Sequence, residues 1–389
     1  MEIHHYADWS SQINQRVVNQ RIPIIGTIEL TSRCNLRCIH CYNTKTSGDQ
    51  HLQRGKELTY NEHCRILDEA TESGCLWACY TGGEIFTRPD FLEIYTYAKR
   101  RGVLITLFTN GTLITPRIAD LLAEWRPFSI EITLYGRTKE TYEQITGIIG
   151  SYEKCMQGIQ LLMDRGLPLK LKTVVLTANK HEIGDMKQFA EKDLELEFRF
   201  DTMINPGRDC SKEPLAFRLS PQQVVEMDLM DSKRLSEWNG FCEQFNGPIS
   251  SEQNNGLYHC GGGIKSFSID PYGQMGICLL LAKERYDLRV GSFKEGWENV
   301  LIKVRREQNE RHTKCTACQI KAMCGMCPAN GWLENCDKEE PVDFLCRVAH
   351  LRAHAFGFTV PPHGECEFCE SGIRYEELMC SFERLSHCA

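Results

Sequence analysis

Three cysteines set close together after an apolar run constrain this chain more than any other feature. Cys34, Cys38 and Cys41 follow a C-x3-C-x2-C spacing within TIELTSRCNLRCIHCYN, residues 27–43. The apolar run just before them, residues 24–30, reads as a buried strand. Three thiolates on one short loop suit a cubane [4Fe–4S] cluster and leave its fourth iron without a protein ligand. A closed zinc site would need a fourth Cys or His within tetrahedral reach. His40 could supply it, so zinc is the competing reading of the loop taken alone.

With 389 residues the chain can bury a full core, read as one main domain with a second, smaller one. A net charge of −7 gives no basic field to recruit nucleic acid or an anionic membrane. No apolar run approaches the roughly 20 residues of a membrane span, and MEIHHYADWSS carries no signal-peptide pattern. The 21 cysteines therefore read as ligands in a reducing, anaerobic cytoplasm rather than as disulfides.

Residues 1–22 read as an N-terminal arm. From residue 24 to about 200, strands and helices alternate. Thr59 and Glu62 form a capping box that opens a helix, and Pro116 stands at a first-turn position of another. Strands are expected at 75–80, 103–108, 128–134, 169–176 and 196–200, which with the first makes six βα-like units. That rhythm predicts an α/β fold, a partial (β/α)6 TIM-like barrel over residues 23–204 with its working loops at the strand C-termini. Residues 205–259 read as a linker, 260–350 as a small cysteine-rich domain and 351–389 as a cysteine-containing tail.

The cysteine spacing, with His40 as the aromatic before the third cysteine, resembles the radical S-adenosylmethionine (SAM) superfamily. The resemblance implies that Cys34, Cys38 and Cys41 hold a [4Fe–4S] cluster whose open iron takes the amino and carboxylate groups of SAM. Gly82-Gly83-Glu84, taken alone, is most often just a turn. The family's GGE motif at this point implies contact with the SAM amino group, with Glu84 suited to pair with an ammonium. The family also directs attention to Asn110, otherwise an ordinary Asn-Gly turn residue, and to Thr133 near the ribose. Lys172 interrupts an apolar strand and needs a carboxylate partner, either that of SAM or Glu131, unless it snorkels to the barrel mouth. Arg199 and Asp201 read as a structural ion pair.

Seven further cysteines, Cys260, Cys278, Cys315, Cys318, Cys324, Cys327 and Cys346, are clustered enough to hold two zincs or two iron–sulfur clusters. Their order resembles the SPASM domain, with one interval of two residues where that family has three. The resemblance implies two auxiliary clusters. The distal one would use Cys315, Cys318, Cys324 and Cys346, and the proximal one Cys260, Cys278 and Cys327. The proximal fourth ligand is open between Cys242 and substrate, and the short interval leaves a shifted use of Cys336 open. Cys366, Cys369, Cys380 and Cys388 suggest a third site or unligated thiols, while Cys64, Cys75, Cys79, Cys155 and Cys210 read as core residues or bystanders.

What the resemblance implies is an enzyme that cleaves SAM to a 5′-deoxyadenosyl radical and modifies a ribosomally made precursor peptide by cross-link, oxidation or excision. Leu279 after Cys278 counts against sulfatase maturation, where that family has Asp. The alternatives are a sugar or small-metabolite dehydrogenase of the same superfamily and an iron–sulfur electron carrier. Expected partners are the precursor peptide and an external electron donor of flavodoxin or ferredoxin type. A separate leader-binding protein is also expected, because few residues precede Cys34. The other candidate grip is the tail, through Phe368, Tyr375 and Phe382.

Overall fold

The computed structural model describes residues 6–17, 20–43, 56–245 and 256–386. Six parallel strands lie side by side in chain order: β1 (Ile25–Thr31), β2 (Trp77–Gly82), β3 (Leu104–Thr109), β4 (Ser129–Thr133), β5 (Leu169–Val174) and β6 (Glu197–Asp201). Helix α1 (Tyr6–Val17) precedes them. The connections carry α2 (Tyr60–Glu72), α3 (Phe91–Arg100), α4 (Pro116–Glu124), α5 (Lys139–Thr146), α6 (Ser151–Met163) and α7 (Ile183–Gln188). Local chemistry starts these helices where the sequence indicates. Thr59 and Glu62 form the reciprocal capping box, and Thr115 caps the helix that begins at Pro116. Each such cap contributes about 1 kcal/mol.

Alternation along the strands separates two faces. Ile105 and Leu107 of β3, Ile130 and Ile132 of β4, and Leu169 and Leu171 of β5 are buried in the main core with the helices. Phe108, Glu131 and Lys172 occupy the alternate positions and so face the inside of the curved sheet. The expected partial barrel is present, with every strand C-terminus at one end.

The sheet does not stop at six strands. β7 (Ser266–Ile269) pairs in parallel with β1, Ile25 opposite Ser266, and β8 (Gln274–Gly276) and β9 (Tyr286–Asp287) add antiparallel strands. Phe267 packs over Gly26 and edge-on against Phe293, so the cysteine-rich region is built onto the barrel.

Residues 205–259, read as a linker, contain α8 (Pro221–Met230) and α9 (Ser232–Phe245), while 246–255 lie outside the described residues. Val224, Val225 and Asp228 of α8 are fully buried. The Asp228 carboxylate accepts from Arg234 (2.9 Å) and from Arg352 (2.7 Å) on a later helix, a paired charge that makes its burial tolerable. The C-terminal part contributes α10 (Pro328–Asn335), α11 (Asp343–Ala355) and α12 (Tyr375–Ser386). The tail docks. Phe368, Leu378 and Leu385 are buried with Leu351 and Val225, and Phe382 packs against that cluster. Phe368 is thus core, which corrects its reading as an apolar contact among mobile residues. Among the described residues no helix is long and apolar enough to cross a membrane.

Candidate active site

The chain leaves β1 at Thr31 and enters the thiol loop at once. Glu57 fixes that exit, accepting from Thr31 Oγ1 (2.6 Å), Ser32 N (3.0 Å) and Arg33 (3.2 Å). Further on, Arg37 N and Ile39 N donate to Thr146 O and Ile145 O at the end of α5, so the loop is held from both sides. Burial pushes the Cys34 thiol up to about 11, opposed by the Leu36 N–H that reaches its sulfur at 3.4 Å. Cys38 is raised by burial and then by its neighbours Cys41 and Cys34. Three thiolates here require a cation.

Among the described residues one Cys/His group has all its ligand atoms within 4.8 Å of one another, and it is His350, His363, Cys366 and Cys369 in the C-terminal part. The three loop thiols are not part of that group, and three ligands on one loop suit a cluster that leaves one iron open. His40 does not complete a single-ion site with them. Its ring meets Tyr135 edge-on at 5.1 Å, and burial lowers its pKa to about 4, so it is neutral. Its Nδ1 is buried without a hydrogen-bond partner. Tyr135, which the sequence reading did not single out, hydrogen-bonds Cys38.

Gly82, Gly83 and Glu84 do their work through the protein itself. Gly83 N donates to Thr31 O and Glu84 N to Arg33 O, both at 2.8 Å, clipping the end of β2 to the thiol loop. A Cβ on Gly83 would stand 2.1 Å from Arg33 O. The close approach the glycines permit is therefore to the loop backbone. Glu84 is fully buried, and its carboxylate accepts from Thr109 Oγ1 (2.7 Å), Asn110 N (2.7 Å) and Phe86 N (3.2 Å). Burial still pushes its pKa up to about 7. Both oxygens of the Glu84 carboxylate accept hydrogen bonds from within the protein, so Glu84 braces the ends of β2 and β3. Asn110 is held on that brace, its Nδ2 3.0 Å from Asn35 Oδ1 and 3.9 Å from Cys34 Sγ. It stands at the thiol loop.

Below the loop, the inner face of the sheet is charged. Lys172 Nζ lies 3.2 Å from Glu131 and 2.7 Å from the centroid of the Phe108 ring, and Arg199 also pairs with Glu131. Burial lowers Lys172 to about 8, with Glu131 opposing. Glu131 is thus the carboxylate Lys172 needs. Arg199 pairs with Glu131 rather than Asp201. Thr133 pairs in register with Lys172, two residues beyond Glu131 at the mouth of β4. Cys79 feels Lys172 and Glu131, so it faces this interior rather than the core. A second buried pair, Glu29 with Arg208, lies against the Tyr42 ring. Glu29 was legible as the charge inside the run Ile28-Glu29-Leu30; Arg208, 179 residues away, was not.

The C-terminal cysteines lie near one another in the structure, and Cys346 also hydrogen-bonds Cys366 in the tail. Cys315, Cys318, Cys324 and Cys346 line one small pocket together with His350 and His363. Cys327 lies close enough to Cys278 and Cys260 for each to raise its pKa. Cys336 hydrogen-bonds Cys210 instead of joining either set, so its shifted use is not realised. The side chain of Cys242, and Cys388 altogether, lie outside what is described.

Residues 28–190 match the radical SAM superfamily; the chain carries a radical SAM domain and is an enzyme. Over 337 residues it is 26% identical to the AdoMet-dependent heme synthase of Methanosarcina barkeri, covering 82% of this chain and 95% of that one. It is 26% identical to the subtilosin biosynthesis protein AlbA of Bacillus subtilis, covering 81% and 69%. Its fold is similar to that of Streptococcus suis SuiB bound to its precursor peptide SuiA. That superposition gives a TM-score of 0.67 at 13% identity, over 88% of this chain and 82% of SuiB.

Proposed function

We propose that the protein is a radical SAM peptide maturase that modifies a ribosomally made precursor. The observation that carries this reading is the thiol loop at the C-terminal end of β1, clipped to the ends of β2 and β3 and facing a charged barrel interior. Cys34, Cys38 and Cys41 would hold a [4Fe–4S] cluster, and the two C-terminal sets would hold auxiliary clusters. When bound and reduced, the first cluster with SAM supplies one-electron cleavage and hydrogen abstraction from substrate. The remaining work belongs to the chain. Glu57, Glu84 and Asn110 hold the loop rigid, which limits wasted motion of the reacting groups. Gly82 and Gly83 keep β2 against it. Glu131, Lys172 and Arg199 offer charge at the floor, and Thr133 a hydroxyl at the mouth.

A peptide substrate is supported by the similarity to AlbA, whose name states bacteriocin biosynthesis. With Phe368 buried, the tail has lost its central apolar contact. That favours a separate leader-binding protein, alongside an external flavodoxin- or ferredoxin-type donor in the cytoplasm. One observation favours a second reading, a small carboxylate-bearing metabolite. The heme synthase similarity covers 95% of that relative, and Lys172 and Arg199 could pair with carboxylates. The test is to reduce the reconstituted protein with SAM beside any short precursor peptide found encoded next to it, or beside an iron porphyrin carrying propionates. A mass change in the peptide supports the first reading. Turnover of the porphyrin alone overturns it.

A further inference from the structure

Outside the cluster cysteines, four ligand side chains meet at one point. His350 lies on α11, one turn after Cys346, while His363, Cys366 and Cys369 follow one another in the tail with H-x2-C-x2-C spacing. All four are buried, and their ligand atoms lie within 4.8 Å of one another. His350 Nε2 is 3.5 Å from Cys366 Sγ and 3.8 Å from Cys369 Sγ; His363 Nδ1 donates to Pro361 O at 3.0 Å, which leaves its Nε2, 4.0 Å from Cys369 Sγ, as the ligand atom. A tetrahedron with Zn–S of about 2.3 Å and Zn–N of about 2.0–2.1 Å has S···N edges of roughly 3.5–3.6 Å. The His350–Cys366 edge meets that value, and the other two are longer by roughly half an ångström at most.

We infer that His350, His363, Cys366 and Cys369 form a mononuclear site for a zinc-class cation, directly adjoining the set of Cys315, Cys318, Cys324 and Cys346: His350 and His363 border the same pocket, and Cys346 hydrogen-bonds Cys366. The supporting shell is in place. His350 Nδ1 donates to Cys346 O at 2.8 Å, which fixes the tautomer and leaves Nε2 for the metal. Gly372 closes the turn after the cysteine pair, where a Cβ would stand 2.3 Å from Glu367 O. Two thiolates and a divalent cation sum to zero charge, which suits a site walled by buried Phe368. Four protein ligands leave no open position, so the metal is structural. It pins the tail to α11 beside the pocket of Cys315, Cys318, Cys324 and Cys346. A binuclear cluster with a cysteine pair on one iron and a histidine pair on the other would separate sulfur from nitrogen by the iron–iron vector. The short S···N edges exclude that arrangement.

The test uses the holoprotein purified anaerobically, with zinc and iron measured per chain. About one zinc is expected, and its X-ray absorption edge should report two sulfur and two nitrogen ligands. The Cys366→Ser/Cys369→Ser variant should lose the zinc and keep its iron, while Cys380→Ser keeps both. Absence of zinc from the wild-type protein overturns the inference, as does a double variant that loses iron in place of zinc. The wild-type absorption measurement stands whether or not the variant folds, and neither readout depends on SAM cleavage.

Discussion

At the scale of single residues, the clearest test lies in the shared carboxylate of Glu131. It serves Lys172 and Arg199 together, so the two ends of the interaction are unequal. Glu131→Leu leaves the buried ammonium of Lys172 without a counter-charge and should cost about 3 kcal/mol. Lys172→Met leaves Glu131 with Arg199 and should cost well under half of that. Urea unfolding of the two variants compares them directly; equal losses would contradict the shared role. The same lysine has a pH signature. Burial lowers it to about 8 from 10.5, so between those values the folded protein has released a proton that the unfolded chain still holds. Its contribution to stability therefore rises with pH across that window. The difference between wild type and Lys172→Met, measured from pH 7 to 11, should show that rise. A flat difference would mean that the ammonium is solvated.

At the scale of elements, local signals were legible and distant ones were not. The capping box at Thr59 and Glu62 and the start at Pro116 depend on residues within one turn, so the sequence alone locates them. Glu84 was visible as a motif residue, but its partners Thr109 and Asn110 sit 25 and 26 residues away, so its role as a brace was hidden. β7 is four residues long and gains its meaning only from pairing with β1. Two predictions belong here. Gly83→Ala sets a methyl against Arg33 O and should destabilise by about 1–3 kcal/mol, with loss of iron from the loop while the C-terminal iron stays. Iron analysis per chain checks it. Phe267→Ala removes the ring that joins β7 to Gly26 and Phe293, and should cost about 3–5 kcal/mol in a single cooperative transition. Two separated transitions would mean that barrel and cysteine-rich region fold independently.

At the scale of the whole molecule, one sheet carries both halves of the chemistry. The thiol loop leaves the end of β1, and the cysteine-rich region joins the other side of that same strand through β7. Ligand-like cysteine spacing is visible in sequence; the meeting of His350 and His363 was not, since only the docked tail brings them together. The central claim is that Cys34, Cys38 and Cys41 hold the cluster that cleaves SAM, apart from the C-terminal metal. The most direct measurement compares 5′-deoxyadenosine formed by the reduced, reconstituted wild-type protein with that formed by the Cys34→Ala/Cys38→Ala/Cys41→Ala variant, alongside iron content. The account predicts product from the wild type and none from the variant, with iron falling from about twelve to about eight per chain. Product from the variant, or none from the wild type at full iron loading, would contradict it.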